Sequence, residues 1–204
     1  AFRESMETIR ENYPPAAFYG AMNFLGTHDT PRILTLLGAA HIPETKQARA
    51  DYRLSPAELA RGKAKLRLAG MLLYSFPGSP TLFYGDEAGM QGFEDPLNRG
   101  TFPWGGEDAA LTAFFRTLGG LRQRESLRRG RLAYIRADGG CLVIERAADG
   151  ERTVTALNAG DAPVELVLPW GAPTARDGVT GQRFLTEGGV LRVTLPPLDG
   201  MILV

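Results

Sequence analysis

Gly26-Thr27-His28-Asp29-Thr30-Pro31-Arg32 sets an imidazole beside a carboxylate, directly after the apolar run Ala21-Met22-Asn23-Phe24-Leu25. An apolar strand that stops at adjacent polar side chains is how a parallel α/β barrel offers chemistry to a ligand. Asp29 also has a plain structural reading. Asp29 or Thr30 could cap a helix that has Pro31 at its first position. A second apolar run, Thr81-Leu82-Phe83-Tyr84, ends at Gly85-Asp86-Glu87. These two carboxylates could cap, pair with a buried arginine, or act together as acid and base. Further on, Gly92-Phe93-Glu94-Asp95-Pro96-Leu97-Asn98-Arg99 leads into Thr101-Phe102-Pro103-Trp104. Aromatic rings next to planar hydrogen-bonding groups suit sugars, which have apolar faces and rims of hydroxyls; Phe102 and Trp104 could equally cover a barrel rim.

The elements that must position these groups follow from periodicity. Residues 4–12 read as a helix ended by Pro14-Pro15, and 21–25 as a strand buried on both faces. Pro56 to Tyr74 repeats apolar residues at helical spacing, with Ser55 as cap, Pro56 at the first position and Glu58 three residues after the cap. Phe76-Pro77-Gly78-Ser79-Pro80 turns the chain into the second strand, at 81–84. Strand, helical crossover and strand make a βαβ unit, which is parallel and right-handed. Both polar ends, His28-Asp29 and Asp86-Glu87, then fall on one edge of the sheet. A helix is expected from Asp108 to about Arg129, its arginines forming a solvated basic end. After Gly130, short runs at 132–136, 141–147, 152–157, 163–168, 182–185, 190–195 and 200–204 alternate with Gly, Asp and Pro turns. Asp149-Gly150 is a hairpin signal. This is the pattern of a small antiparallel sandwich. The expected division is 1–130 and 131–204.

Composition narrows the classes. The 204 residues carry 23 basic and 23 acidic side chains, a formal net charge of zero, which argues against nucleic acid or an anionic membrane as partner. Cys141 is the single cysteine, expected to be buried and inert, and one Cys with two distant His gives no metal-binding spacing. No apolar stretch reaches membrane-spanning length, and no secretory leader is recognised. A bacterial cytoplasmic location is the resulting expectation.

Asn23 to Arg32 resembles the fourth conserved region of the α-amylase family, glycoside hydrolase family 13. Phe76 to Met90 is similar to that family's eighth barrel strand and its flanks. Asp95-Pro96 with Arg99, then Pro103-Trp104, is most like the neopullulanase, cyclomaltodextrinase and maltogenic amylase branch. The resemblance runs the length of the chain and implies the C-terminal part of a (β/α)8 barrel, strands seven and eight with their helices, followed by a β-sandwich. It implies a retaining hydrolase of α-1,4 (with α-1,6 open) glucosidic bonds, acting on maltodextrin, cyclodextrin or pullulan. Asp29 then matches the carboxylate that stabilises the transition state, and His28, Arg32, Asp95 and Arg99 match substrate-binding positions. Asp86 and Glu87 match a structural strand end. The family's nucleophile and acid/base lie on barrel strands four and five, upstream of Ala1. The expectation is a fragment that needs the missing N-terminal half of the barrel as partner and is inactive alone. No cofactor is expected in this chain, any calcium belonging to upstream loops. Transglycosylation, hydrolysis of another α-glucoside, and a non-catalytic carbohydrate-binding sandwich displaying Trp170 are the competing readings.

Overall fold

The computed structural model describes residues 1–204. Its first region holds helix α1 (Phe2–Asn12), helix α2 (Pro15–Gly20), strand β1 (Met22–Phe24), helices α3 (Ile33–Gly38), α4 (Lys46–Asp51) and α5 (Pro56–Ser75), and strand β2 (Ser79–Thr81). Helices α6 (Ala109–Leu121) and α7 (Glu125–Arg129) follow a long loop. Pro14-Pro15 ends α1 as expected but also opens α2, because proline at a first helical position lacks only an amide that would be unpaired there.

β1 and β2 pair in parallel, Met22 opposite Ser79 and Phe24 opposite Thr81. Helix α5 makes the crossover. Its start is the expected capping box: Ser55 Oγ accepts from the Glu58 amide and the Glu58 carboxylate accepts from the Ser55 amide. At its end Gly78 turns the chain with φ 107°, where a Cβ would lie 2.4 Å from the Ala21 carbonyl oxygen. Only glycine lets β2 start this close to β1.

Three expectations for this region are corrected. The first strand is not buried on both faces: Met22 is 64% exposed and Phe24 52%. The second strand is Ser79–Thr81, not 81–84, since Tyr84 turns away to start the loop. The single helix over 108–129 is two helices: the ladder tightens to i→i−3 bonds at Gln123 and Arg124, and Arg124 turns extended (ψ 138°) before α7 begins. Arg122 is no solvated residue either; it donates to the carbonyls of Tyr74 and Phe76, each at 3.1 Å, and of Gly78. It thereby satisfies carbonyls that the α5 terminus leaves open. Burial holds its pKa below the usual arginine value.

From Arg131 the structure is antiparallel. Strands β3 (Arg131–Asp138), β4 (Cys141–Ala148) and β5 (Glu151–Asn158) form consecutive hairpins, and the last strand, β10 (Asp199–Leu203), pairs with β5. Between them lie β6 (Val164–Pro169), β7 (Thr174–Arg176), β8 (Arg183–Leu185) and β9 (Val190–Leu195), with β6 paired to β9 and β7 to β8. β7 is the one strand that no sequence run announced. The Asp149-Gly150 turn has φ 50° and 76°, the left-handed pair that a two-residue hairpin demands.

Strand alternation sorts the four-stranded sheet into two buried faces. Val143, Val154, Ala156, Met201 and Leu203 meet Leu166, Leu168, Leu191, Val193 and Leu195 in one core, the sandwich interior. Leu157 and Ile202, from the opposite face, join Leu66, Leu68, Phe114, Phe115 and Leu118 in a second core. Gly200 permits that contact, as a Cβ there would lie 2.8 Å from Leu157 and 3.1 Å from Leu68. Polar groups fasten the same seam. Arg146 is buried, donating to Gly130 O at 3.0 Å and Ser75 O at 2.8 Å, and Thr155 Oγ1 lies 2.7 Å from Ser75 Oγ. Burial pulls the Arg146 pKa down to about 10, with the charge of Arg122 acting in the same direction.

Candidate active site

The loop after β1 folds on itself before α3 begins. The Thr27 amide donates to Thr30 Oγ1 at 3.0 Å, the Asp29 amide to Thr27 Oγ1 at 3.2 Å, and the Thr30 amide to Thr27 O at 3.3 Å. Asp29 caps nothing. Helix α3 starts at Ile33, its N-cap residue is Arg32, and no side chain caps it. The structural reading of Asp29 and Thr30 as helix caps is therefore withdrawn. The Asp29 carboxylate is left 72% exposed at the end of β1.

His28 Nε2 lies 3.2 Å from Asp29 Oδ1. The 92–104 loop brings the other polar groups to the same place. Arg99 Nε is 2.9 Å from Asp95 Oδ1, its Nη2 is 3.8 Å from Asp29 Oδ1, and its Nε donates to His28 O at 3.2 Å. One guanidinium thus stands between two exposed carboxylates, next to an imidazole. The Asp95-Pro96 peptide inside this loop is cis. A groove of about 200 Å³, bordered by Met22, Phe24, Gly26, Thr27, His28 and Phe83, runs alongside. The arrangement offers hydrogen-bond donors and acceptors to a polyhydroxylated ligand while leaving water access to every member.

Arg32 does not belong to this exposed group. It is 1% exposed, and its Nε donates to Asn98 O at 2.8 Å and its Nη1 to Asp86 Oδ1 at 3.2 Å and to Tyr84 O. The guanidinium carbon lies 4.2 Å and 4.6 Å from the ring centres of Phe83 and Tyr84. A side chain enclosed in this way cannot touch a ligand. Its expected substrate-binding role is replaced by a structural one. Asp86 is the buried partner, so of its three sequence readings the pairing with a buried arginine holds. Burial pushes the Asp86 carboxyl up to about 6, against the opposing pull of Arg32 and with the help of Glu87. Gly26 makes room for it, since a Cβ there would lie 3.3 Å from Asp86 Oδ2.

Sequence reasoning passed over Asn98. It is fully buried, and its Nδ2 donates to His28 O at 2.7 Å and Thr30 O at 2.8 Å. The only available signal was an amide within a polar, proline-containing loop, which specifies no partner. Trp104 is 85% exposed and packs with its ring centre 4.6 Å from that of Phe102.

Residues 122–202, about two fifths of the chain, match the family model described as the maltogenic amylase C-terminal domain. An amylopullulanase from Thermoanaerobacter thermohydrosulfuricus is 34% identical over 98% of this chain, and a cyclomaltodextrinase from Geobacillus thermopakistaniensis is 32% identical over 96% of it. The chain belongs to the α-amylase family of glycoside hydrolases. It corresponds to a C-terminal region of that family, in the branch that includes cyclomaltodextrinases and maltogenic amylases. It spans 14% of the amylopullulanase and 31% of the cyclomaltodextrinase. Among solved structures, an α-amylase from Anoxybacillus superposes with a TM-score of 0.77 at 25% identity, covering 98% of this chain and 41% of that one.

Membership in the α-amylase family leaves two side chains of the sandwich to be placed. Trp170, the ring on which an independent sugar-binding face would depend, is 7% exposed, and its Nε1 donates to Thr174 O at 3.1 Å. It is a core residue and offers no stacking face. Cys141 is buried, and burial raises its thiol pKa, as expected of an inert cysteine. No three His, Cys, Asp or Glu side chains converge as a metal site, and no helix is long and apolar enough to cross a membrane.

Proposed function

We propose that this chain supplies the sugar-gripping corner of a retaining α-glucan hydrolase. The observation that carries the reading is the convergence of His28, Asp29, Asp95 and Arg99 at the end of a parallel strand pair. β1 and β2 are read as the seventh and eighth strands of a (β/α)8 barrel covering residues 1–130, with the sandwich at 131–204. Substrate then lies over the strand C-termini, where barrels of this kind bind it.

Retaining hydrolysis needs a nucleophilic carboxylate, which forms a glycosyl-enzyme intermediate, and a second carboxyl group that protonates the leaving oxygen and then activates water. Asp29 takes neither role. Pinned beside His28 and Arg99, it accepts hydrogen bonds from sugar hydroxyls, and these strengthen as the ring flattens toward an oxocarbenium ion. His28 donates to the same sugar. Asp95 and Arg99, held to each other, contact the sugars further toward the non-reducing end. The nucleophile and acid/base are contributed by barrel strands outside these 204 residues, so the chain by itself does not turn over. The substrates are maltodextrin, cyclodextrin or pullulan, through α-1,4 and α-1,6 bonds, as the names of the relatives suggest.

The test is made in the full-length polypeptide. Asp29→Asn keeps the side-chain shape and removes the charge, and should lower kcat on maltodextrin by about 100- to 1000-fold, the scale of several kcal/mol assigned to such hydrogen bonds. An unchanged kcat overturns the assignment. Clear hydrolysis of maltodextrin or pullulan by the purified 204-residue chain overturns the need for outside carboxylates.

A further inference from the structure

Asp29 is solvent-exposed on a loop whose following helix has no side-chain cap, yet the reading above requires it to hold one position against a sugar ring. The restraint comes from below. Asn98 gives one N–H of its amide to His28 O and the other to Thr30 O, the carbonyls of the two residues that flank Asp29. Because the two hydrogens of a planar amide are fixed relative to each other, satisfying both carbonyls fixes their relative orientation and hence the backbone from which the Asp29 side chain projects. His28 and Arg99 are left to orient the carboxylate itself. Asn98 is itself immobilised. Its backbone carbonyl accepts from Arg32 Nε, and Arg32 is anchored on Asp86 and the Tyr84 carbonyl between two aromatic rings. Arg32 lies three residues after Asp29 in the same loop, so the network closes on itself: loop, Asn98, Arg32, and back to the loop. Arg99 Nε also reaches His28 O, but this side chain is about half exposed and shares its donors with Asp95 and Asp29. The buried amide is the stiffer tie.

We propose that Asn98, backed by Arg32, is the positioning residue that sets the Asp29 carboxylate for the transition state. The proposal rests on the reading of Asp29 given above. It gives Asn98 an effect on catalysis that acts through another residue, which separates it from an amide that merely satisfies two loop carbonyls.

The experiment uses the full-length protein with maltodextrin, Asn98→Ala as the main variant and Asn98→Ser as a milder one, each checked for an unaltered melting profile of the sandwich. Misplacing a catalytic group by about 1 Å costs on the order of 100-fold, so kcat should fall about 10- to 100-fold with KM within about 3-fold of the parent. In an Asp29→Asn background the same substitution should cost less than about 3-fold more, since residues acting as a unit are not additive. Independently of activity, amide hydrogen exchange at Thr27, Asp29 and Thr30 should speed up at least about tenfold, with β3–β5 unchanged. A folded Asn98 variant that keeps kcat, losses that multiply in the double variant, or unchanged exchange in the loop each overturn the proposal. If Asp29→Asn itself leaves kcat intact, the reading of Asp29 fails, and the exchange measurement still decides whether Asn98 fixes the loop.

Discussion

The two regions of this molecule solve the backbone problem in opposite ways. In the sandwich, β5 has neighbours on both sides and cores on both faces; Val154 and Ala156 point into one, Leu157 into the other. In the N-terminal region β1 and β2 have only each other, three residues apiece, with Met22 and Phe24 turned to solvent. Open strand edges and exposed apolar side chains call for pairing. The site lies on the open region, whereas the closed one supplies the wall against which α5 and α6 pack. The difference teaches where stability and chemistry reside: the sandwich side anchors the crossover helix, and the crossover helix sets the two strand ends that carry His28-Asp29 and Asp86.

That division can be broken most forcefully at the seam and in the sandwich core. Leu191 is fully buried between the sheets, and Leu191→Ala should cost about 2–5 kcal/mol in urea unfolding, from lost burial plus the cavity left behind. A cost under about 1 kcal/mol would mean that the sandwich core relaxes freely and does not anchor the molecule. Arg146→Met keeps the length of the side chain but strands the carbonyls of Ser75 and Gly130. A loss of about 1–3 kcal/mol is expected for leaving such groups unpaired, read in the same unfolding experiment. If the variant matches wild type, the polar seam contributes nothing beyond the apolar contacts around it.

How much of this was legible in sequence follows the same division. The sandwich strands were readable because turn chemistry punctuates them: Asp149-Gly150 can adopt the left-handed pair, and the runs between turns alternate. β7 was hidden because Thr174–Arg176 is too short for alternation to register. α5 was readable from its helical apolar spacing together with the start signals Ser55, Pro56 and Glu58. The exposure of Met22 and Phe24 was not, since an apolar run states only that burial is favourable and says nothing about which partner provides it. At the site, the polar residues at strand ends and in the 92–104 loop were visible as residue types. Their sorting into exposed (Asp29, His28, Asp95, Arg99) and buried (Arg32, Asp86, Asn98) depends on tertiary packing between segments more than 50 residues apart, as in the hydrogen bonds from Arg32 to Asp86 and Asn98. Arg32 was misread for that reason.

The buried pair gives the comparison a pH axis. The Asp86 carboxyl is raised from 3.8 to about 6 in the folded protein. Between those values the folded state binds the proton more tightly than the unfolded chain, so folding stability from this group is present below about pH 4 and is lost as the pH rises through 6. At roughly 1.4 kcal/mol per unit the loss across the window is about 2–3 kcal/mol. Asp86→Asn should flatten that slope, measured as unfolding free energy at pH 4, 5, 6 and 7, whereas Glu165→Gln on the exposed rim of the sandwich should leave it. A slope identical in wild type and Asp86→Asn would show that Arg32 offsets the burial in full.

The smallest expected effect on stability is at the open strand. Met22 and Phe24 are more exposed than buried, so Met22→Thr should change the unfolding free energy by no more than about 0.5 kcal/mol, the ordinary range for surface positions. Its effect should appear elsewhere. Polar substitution of an uncovered apolar strand lowers the drive for edge-to-edge association, so the 204-residue chain carrying Met22→Thr and Phe24→Thr should sediment closer to monomer at a given concentration than the parent chain. In the full-length polypeptide the same pair should instead destabilise, by about 1–3 kcal/mol, because further strands would cover those side chains there. If the substitutions are neutral in both contexts, β1 is a true edge strand, and the barrel reading of the N-terminal region loses its main physical support.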